Sequence, residues 1–578
     1  MRRRRRMKIE LNLNKKDWLT IVVLSIVFFS LAVWNLGLAQ TPVTTWQTSE
    51  DKTFYIDLGD PVNVGTVYFL VKNGAANVQF STGSPGSWNE SISVNIPFKY
   101  YSWSEINVDS LTRYVQFEVQ PESSIEIAEV AVLSSGGQRF AIAAVNDEGA
   151  FDSSLSHLVD EQNLIELPPT YMGETYFDEI YYVRSAEQYL NLQVPYEWTH
   201  PPLGKLIIAS GISIFGFNPF GWRIMGVIFA TLMIPLIYVL GKNLLGTWIG
   251  GLASAFLLVF DFMHFTMARI STVDTYVVFF SLASQLFFLI YLKNVLKDGW
   301  KTSVLPLFLA ILFFALGFST KWFVLYGFAG QLVLLAALRL KEVSKLKKGL
   351  ADKIYAFTDQ PFAMVLGFLL LSVLVYFLTY IPDILAGRSL VDVIDLQGSM
   401  YNYHATLTAT HPFSSPWWTW PFMLKPLWLY VAPLPNNVTS TITLMGNPLV
   451  WWVGFASIIV ISVYALIKVV SSRGKQLIQS VGLPSVFIVT FFFFQWVPYM
   501  LISRVTFIYH FYLNVPFLSL ATAYFISKYW SSRWTKLAAL AYFAGVVALF
   551  ALFYSAISGV PASNSFIESL KWLNGWIF

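Results

Sequence analysis

The chain has 578 residues, of which 55% are hydrophobic and 12% charged, with a formal net charge of +4 at pH 7. A soluble domain carries about a quarter charged residues, so this composition excludes a soluble enzyme and describes a membrane protein. The absence of cysteine excludes disulfides, thiol chemistry and Cys-based metal sites.

Apolar runs of about 20 residues are long enough to cross a bilayer core. They predict eleven spans: 18–38, 222–241, 247–265, 275–292, 304–319, 322–338, 361–380, 449–467, 485–502, 506–526 and 537–556. Orientation follows from Lys and Arg in the loops. With the N-terminus inside, the short inner segments hold 24 of the 38 basic residues but only six of the 34 acids. The basic tail, with its Arg run at 2–6, is therefore expected to be cytoplasmic and Phe578 external. The first span reads as an uncleaved anchor, too long for a signal-peptide core. The net charge is the residue of a basic inner and an acidic outer surface, so no nucleic-acid partner is expected.

Two long external segments interrupt the spans. In the first, residues 42–135 alternate apolar and polar between turn residues ("TFYIDLG", "VGTVYFLV", "NVQFST", "RYVQFEV", "SIEIAEVAVLSS"), as short strands of a β-sandwich do. This pattern resembles a discoidin-like, galactose-binding-fold module. Such modules often bind sugars at loop tips, where Trp46, Trp88 and Trp103 are candidates to stack on a ring; core tryptophans are the plainer reading. A spacer or docking role fits the module as well.

Residues 136–170 read as a polar connector. Two amphipathic helices follow, about 176–190 and 202–215, too short to span and suited to the outer interface. Pro201 and Pro202 fit the first turn of the second. The first opens with adjacent acids in "YFDEIYYVRSAEQYL". One reading of Asp178 and Glu179 is a capping box with Thr175, favoured by the helix dipole. The other comes from the charges that gather at the same membrane boundary: Lys205, Arg223, Asp261, His264, Arg269, Asp274, Lys321 and Arg504. Ionisable groups at span ends are costly and face a polar cavity or one another, and Arg269 with Asp274 is the expected ion pair. A carboxylate pair among several cations suits an anionic, lipid-borne substrate.

Five stretches carry a resemblance: "FDEIYYVRSA", "THPPLGKLIIASGISIFGFNPFGWRI", "DFMHFTMARISTVDT", "STKW" and "DLQGSMYNYHATLTATHPFSSPWWTWPFMLKPLWLY". With "LMGNPLVWW", "SRVTFIYHFYLNVPF" and the C-terminal "FYSAISGVPASNSFIESLKWLNGWIF", they resemble the protein O-mannosyltransferase family of GT-C membrane glycosyltransferases from about Tyr176 onward. The resemblance implies an eleven-span GT-C fold with a cytoplasmic N-terminus and an outer active site. It is of the prokaryotic type: nothing like the eukaryotic MIR β-trefoil lies in the second external segment, and the β-sandwich is inserted before the acidic pair. The expected organisation is a tail and first span (1–41), the sandwich (42–135) and a connector with interfacial helices (136–221). Spans two to seven (222–380), an external loop (381–448) and the last four spans with an external C-terminus (449–578) complete it.

The resemblance also implies inverting transfer of mannose from a polyprenyl phosphate to a Ser or Thr hydroxyl. An alcohol needs a positioned carboxylate to take its proton as the new bond forms. That role falls to Asp178, with Glu179 orienting the acceptor or the base. Lys205 and Arg223 are the first candidates for the donor phosphate, Arg504 and Lys321 the second. In the second external loop, His404, His411 and Tyr401, with Asn447 beyond them, are substrate-loop candidates; Trp417, Trp418 and Trp420 suit an interfacial anchor. No metal-ligand spacing stands out, so no essential metal or other cofactor is expected. Expected partners are the lipid-linked sugar, an acceptor protein or peptide and membrane lipids. Family members often pair as dimers, and no feature of this sequence bears on that. Two alternatives stand beside this reading. One is a GT-C transferase acting on a lipid or cell-wall acceptor. The other is a secondary transporter, which would place its binding groups at mid-bilayer between repeats; no repeat is visible here.

Overall fold

The computed structural model describes residues 13–148, 152–300, 302–346, 349–358, 362–471 and 481–578. The Arg run at 2–6 lies outside the described residues. So do Lys8, Glu10, Lys301, Lys347, Lys348, Asp359, Arg473 and Lys475, which also entered the charge count.

Each of the eleven predicted segments is helical, but they are not equal. Among the described residues, eight helices are long and apolar enough to cross a membrane alone, which makes this an integral membrane protein. Trp248–Val259 and Phe262–Ala268 are together long and apolar enough for a ninth, but they meet at a 60° break. Asp261 sits at that break. Its carboxylate caps the second piece through His264 N–H (3.1 Å) and accepts the Trp451 indole N–H at 2.8 Å. Leu305–Phe318 and Val515–Lys528 have 14 residues each, about 21 Å of helix, short of a ~30 Å hydrocarbon core. The 3-10 turn Ile508–Asn514 leads into the latter.

The first helix, Lys15–Val33, starts on a capping box between Asn14 and Asp17. The buried Asp17 carboxylate also pairs with Lys242 and accepts from Tyr238 Oη, fastening this helix to Pro219–Leu245. Glu179–Leu190 and Leu203–Phe215 form close to their predicted ranges. Gly204 brings the second of these against the bundle: a Cβ there would lie 2.5 Å from Val273 and 3.0 Å from Thr320.

The alternating pattern does give a β-module, whose long runs Lys52–Ser84 and Ile92–Leu133 pair antiparallel over most of their length. Its inward residues, among them Trp46, Phe54, Phe69, Phe117 and Ile127, form a separate core. The module is larger than 42–135. Arg139–Phe140 pairs with Val132–Leu133, Ala144–Asp147 pairs with Phe54–Asp57, and Leu155 and Leu158 enter the core. Part of the supposed polar connector is therefore sheet, in strands too short for alternation to reveal.

The other face of the module is fused to the helices. Leu70, Tyr100, Tyr101 and Trp103 share one apolar cluster with Val183, Ile208 and Trp222. The plainer reading holds for two of the three tryptophans. Trp46 is fully buried with its N–H on Asp152, Trp103 is buried, and only Trp88 reaches the surface.

The segment 381–448 holds the helices Ile381–Leu385 and Leu390–Thr406 and then a hairpin of Leu427–Leu434 with Val438–Leu444. Asn436 and Asn437 take positive φ of 64° and 57° at its turn, the geometry that favours Asn in tight hairpins. Ala562–Ser563 adds a third strand beyond Val438–Leu444, leaving Leu427–Leu434 at the edge of the sheet. Trp420 is buried in the core, while Trp418 is exposed.

Candidate active site

The acidic pair sits where the module, the hairpin and the helices meet. The backbone before it is tied to the module: Thr175 N–H donates to Tyr101 O (2.9 Å) and Thr175 Oγ1 to Tyr100 O (2.6 Å). Glu174 accepts from Ser102 Oγ and Trp103 N–H, and Tyr430 Oη of the hairpin donates to its other oxygen at 3.1 Å. Thr175 is thus engaged with the module, and the expected Thr175–Asp178 capping box does not form. Phe177 takes a φ of +50°. A bulky residue there stores strain of about 1–3 kcal/mol and persists only where its surroundings hold it.

That turn sends the two acids to opposite sides. Glu179 is fully buried. Its carboxylate meets the Arg223 guanidinium at 2.8 and 2.7 Å and accepts from Ser271 N–H at 2.8 Å. Asp178 is the helix N-cap residue, yet its side chain caps nothing. The residue is partly exposed and borders a narrow recess lined by Phe177, Met267, Thr272, Asp274, Leu429 and Tyr509.

Burial pushes the Asp178 carboxyl up to about 7; Lys321 opposes the shift, while Asp274 and Glu197 add to it. Lys321 itself is held against Asp274 at 3.0 and 3.1 Å, so Asp274 pairs with Lys321 and not with Arg269. Arg269 instead donates to the carbonyls of Ala32, Trp34 and Asn35.

Two of the four cations expected at the donor phosphate are otherwise engaged. Arg223 is fully buried, and its five N–H groups reach Glu179 Oε1 and Oε2 and the carbonyls of Leu36, Tyr171 and Glu174. No donor is left for a phosphate. Lys205 Nζ is likewise buried against Glu197 O, Glu197 Oε2 and His200 O at 2.5–2.8 Å, which uses all three of its protons. Both sequence expectations are corrected: these cations lock the acidic segment and the "WTHPP" turn in place.

Arg504 is different. It is partly exposed and lies in the irregular stretch before Ile508–Asn514. Among the described residues no carboxylate is within ion-pair distance of it. Its charge is felt at His404 and Tyr509. His404 Nε2 lies 2.8 Å from Thr199 O, its ring 5.2 Å from that of His200. Burial, reinforced by His200 and Arg504, pushes His404 down to about 4, so it is neutral at physiological pH.

The other loop candidates separate from this cluster. His411 Nδ1 accepts Phe413 N–H (3.2 Å) and its ring packs on Phe507. Tyr401 is 65% exposed. Asn447 is fully buried, its amide donating to Phe260 O and Val546 O and its oxygen accepting from Leu449 N–H. It secures the broken crossing and cannot meet substrate. Sequence reasoning gave no role to Glu197, His200 or Tyr509. His200 and Glu197 stand in or beside the quoted "THPPLGK", and Tyr509 within the quoted "SRVTFIYHFYLNVPF" beside Arg504, which was the available signal.

Residues 199–377 match the family model described as Dolichyl-phosphate-mannose-protein mannosyltransferase. Residues 389–576 match the C-terminal four TMM region of protein-O-mannosyltransferase. Both matches begin after the acidic pair. The chain is 25% identical over 478 residues to the polyprenol-phosphate-mannose--protein mannosyltransferase of Mycobacterium tuberculosis, covering 70% of this chain and 87% of that protein. It is 25% identical to the Mycolicibacterium smegmatis protein of the same name, with 71% and 89% covered. Its fold is similar to the S. cerevisiae protein O-mannosyltransferase Pmt1-Pmt2 complex bound to the sugar donor. That likeness has a TM-score of 0.57 at 14% identity, over 70% of this chain and 89% of that one. The two models together span most of the helical part, and the fold agrees with them: the chain belongs to the protein O-mannosyltransferase family of GT-C membrane glycosyltransferases.

Proposed function

We propose that this protein transfers mannose, with inversion, from a polyprenyl-phosphate donor to Ser or Thr hydroxyls of polypeptides. The observation that carries the reading is Asp178: a partly exposed residue at a recess, its carboxyl free of hydrogen bonds among the described residues and raised to about 7 by burial, with Lys321 opposing the rise. A general base works best with a pKa near the operating pH.

In this reading the acceptor hydroxyl gives its proton to Asp178 as its oxygen attacks the anomeric carbon. The bond from that carbon to the phosphate oxygen breaks on the opposite face. Polyprenyl phosphate leaves with the electron pair. Arg504 and Lys321 are the side chains assigned to its developing charge, as preorganised cations stabilise charge where it forms. Glu179 cannot reach an acceptor from its buried position; its part is to position the base by fixing the helix start on Arg223 and Ser271. The reading assigns no step to a metal.

The face that carries the module and Asp178 is taken as external, because the basic residues concentrate on the opposite loops. A single cysteine in place of Ser84, in a chain that otherwise has none, should label from outside intact cells; labelling only from the cytoplasm would reverse the orientation. The transfer itself is tested by incubating purified protein with polyprenyl-phosphate mannose and Ser/Thr peptides and reading products by mass. A hexose added at Ser or Thr is expected. Consumption of donor with no peptide product, at any peptide, would point to another acceptor.

A further inference from the structure

Between the module and the hairpin runs a groove of about 680 Å³. One wall is the module stretch 94–99, which pairs with 74–78 on its inner side. The opposite wall is Leu429–Pro433, on the edge strand of the hairpin sheet. Among the described residues no strand pairs with the outer edge of either wall. The floor is Glu174–Phe177, fastened to the module through Thr175, whose N–H and hydroxyl donate to Tyr101 O and Tyr100 O. Phe177 and Leu429 line both this groove and the Asp178 recess, so the two adjoin. Ser104, also lining the groove, has a buried hydroxyl without a hydrogen-bond partner among the described residues.

We propose that this groove binds the acceptor polypeptide as an extended strand, with the β-module forming one of its walls. The proposal rests on the protein-directed transfer argued above and adds how the acceptor is held. Open sheet edges recruit extended chains through main-chain hydrogen bonds, which are indifferent to sequence. That suits an enzyme that must present many different Ser and Thr sites to one base. The cations assigned to the donor phosphate leave this position open, since neither Lys321 nor Arg504 lines the groove. Pro433 marks one end of the usable edge, since it offers no N–H. The module is accordingly a working part of the transferase and no mere spacer.

Two measurements test this. Pro97→Cys and Val431→Cys put single thiols on exposed positions of the two walls. A thiol-linked photocrosslinker at either, in an Asp178→Asn background with a Ser/Thr-rich peptide as probe, should capture the peptide, whereas the same crosslinker at Ser84 should not. Ala432→Trp, which narrows the groove, should raise KM for the peptide by about tenfold with kcat retained. Transfer to an N-acetylthreonine amide, too short to span the walls, should be unchanged. Absence of capture at both walls would overturn the proposal. So would an Ala432→Trp enzyme affected equally for both acceptors or for neither. If the unsubstituted protein mannosylates no peptide at all, the transfer reading fails separately, and capture at the walls still decides whether the groove takes a polypeptide.

Discussion

Asp178 and Glu179 are adjacent in the chain and opposite in circumstance. Behind the helix start, Glu179, Arg223, Glu174 and the carbonyls around them form a knot in which the guanidinium and the Glu179 carboxylate are fully partnered and buried. In front of it, among the described residues, the Asp178 side chain holds no hydrogen bond, Lys321 keeps one carboxylate partner and Arg504 has none. Saturated charges hold a structure together, and unsaturated ones are available to a substrate. A list of charged residues does not distinguish the two.

The contrast is most easily broken at the knot. Arg223→Leu leaves Glu179 buried without its cation, and removing one partner of a buried pair typically costs about 3–5 kcal/mol. Thermal unfolding in detergent should show that loss, and Lys205→Ala should show a similar one by stranding Glu197. Unchanged stability with a raised donor KM would return either residue to the phosphate site.

On the open side the effect should fall on catalysis. Arg504→Ala removes a charge-assisted contact to the leaving phosphate, with an expected loss of about 1.5–3 kcal/mol in kcat/KM for the donor. Its melting temperature should stay at the wild-type value. If Arg504→Ala melts early and transfers normally, the assignment to the phosphate is wrong.

Titration sharpens the comparison further. Because the base form of Asp178 is required and burial raises this carboxyl to about 7, kcat/KM should fall as pH drops through about 7. Lys321 opposes that rise, so Lys321→Met should move the limb to higher pH. A limb that stays near an ordinary carboxylate value would place the base elsewhere. The smallest effect is expected from chelation: since no step is assigned to a metal, transfer should proceed unchanged in EDTA, and a loss restored by a divalent cation would require revision.

Much of the scaffold was legible because it is written locally. Hydropathy located all eleven helical segments, and alternation located the module. The short Leu305–Phe318 helix and the 60° break at Asp261 were not legible, since an apolar run records no length in space and no bend. The end of the module was missed because Arg139–Phe140 and Ala144–Asp147 become strands only by pairing with distant partners. The site divided the same way. Successive helical residues point about 100° apart, so the adjacency of the two acids said nothing of where each would face. That Asp274 meets Lys321, and that Arg269 binds carbonyls near residues 32–35, depends on contacts between segments far apart in the chain. Arg504 ranked below Arg223 in the sequence because only the structure shows which guanidinium is already engaged.

The central claim is that Asp178 is the base, and Asp178→Asn addresses it most directly. Asn keeps the shape and the capacity to cap a helix but cannot take up the acceptor proton. Transfer to a Ser/Thr peptide, followed by mass at saturating donor, should fall by at least about 100-fold. Thermal stability should hold or rise slightly above pH 7. The folded-state pKa of Asp178 lies above its unfolded value, so ionising it there opposes folding, and Asn removes that cost. A folded Asp178→Asn protein that transfers mannose near the wild-type rate, or one whose activity loss is matched by a fall in stability, would contradict the account.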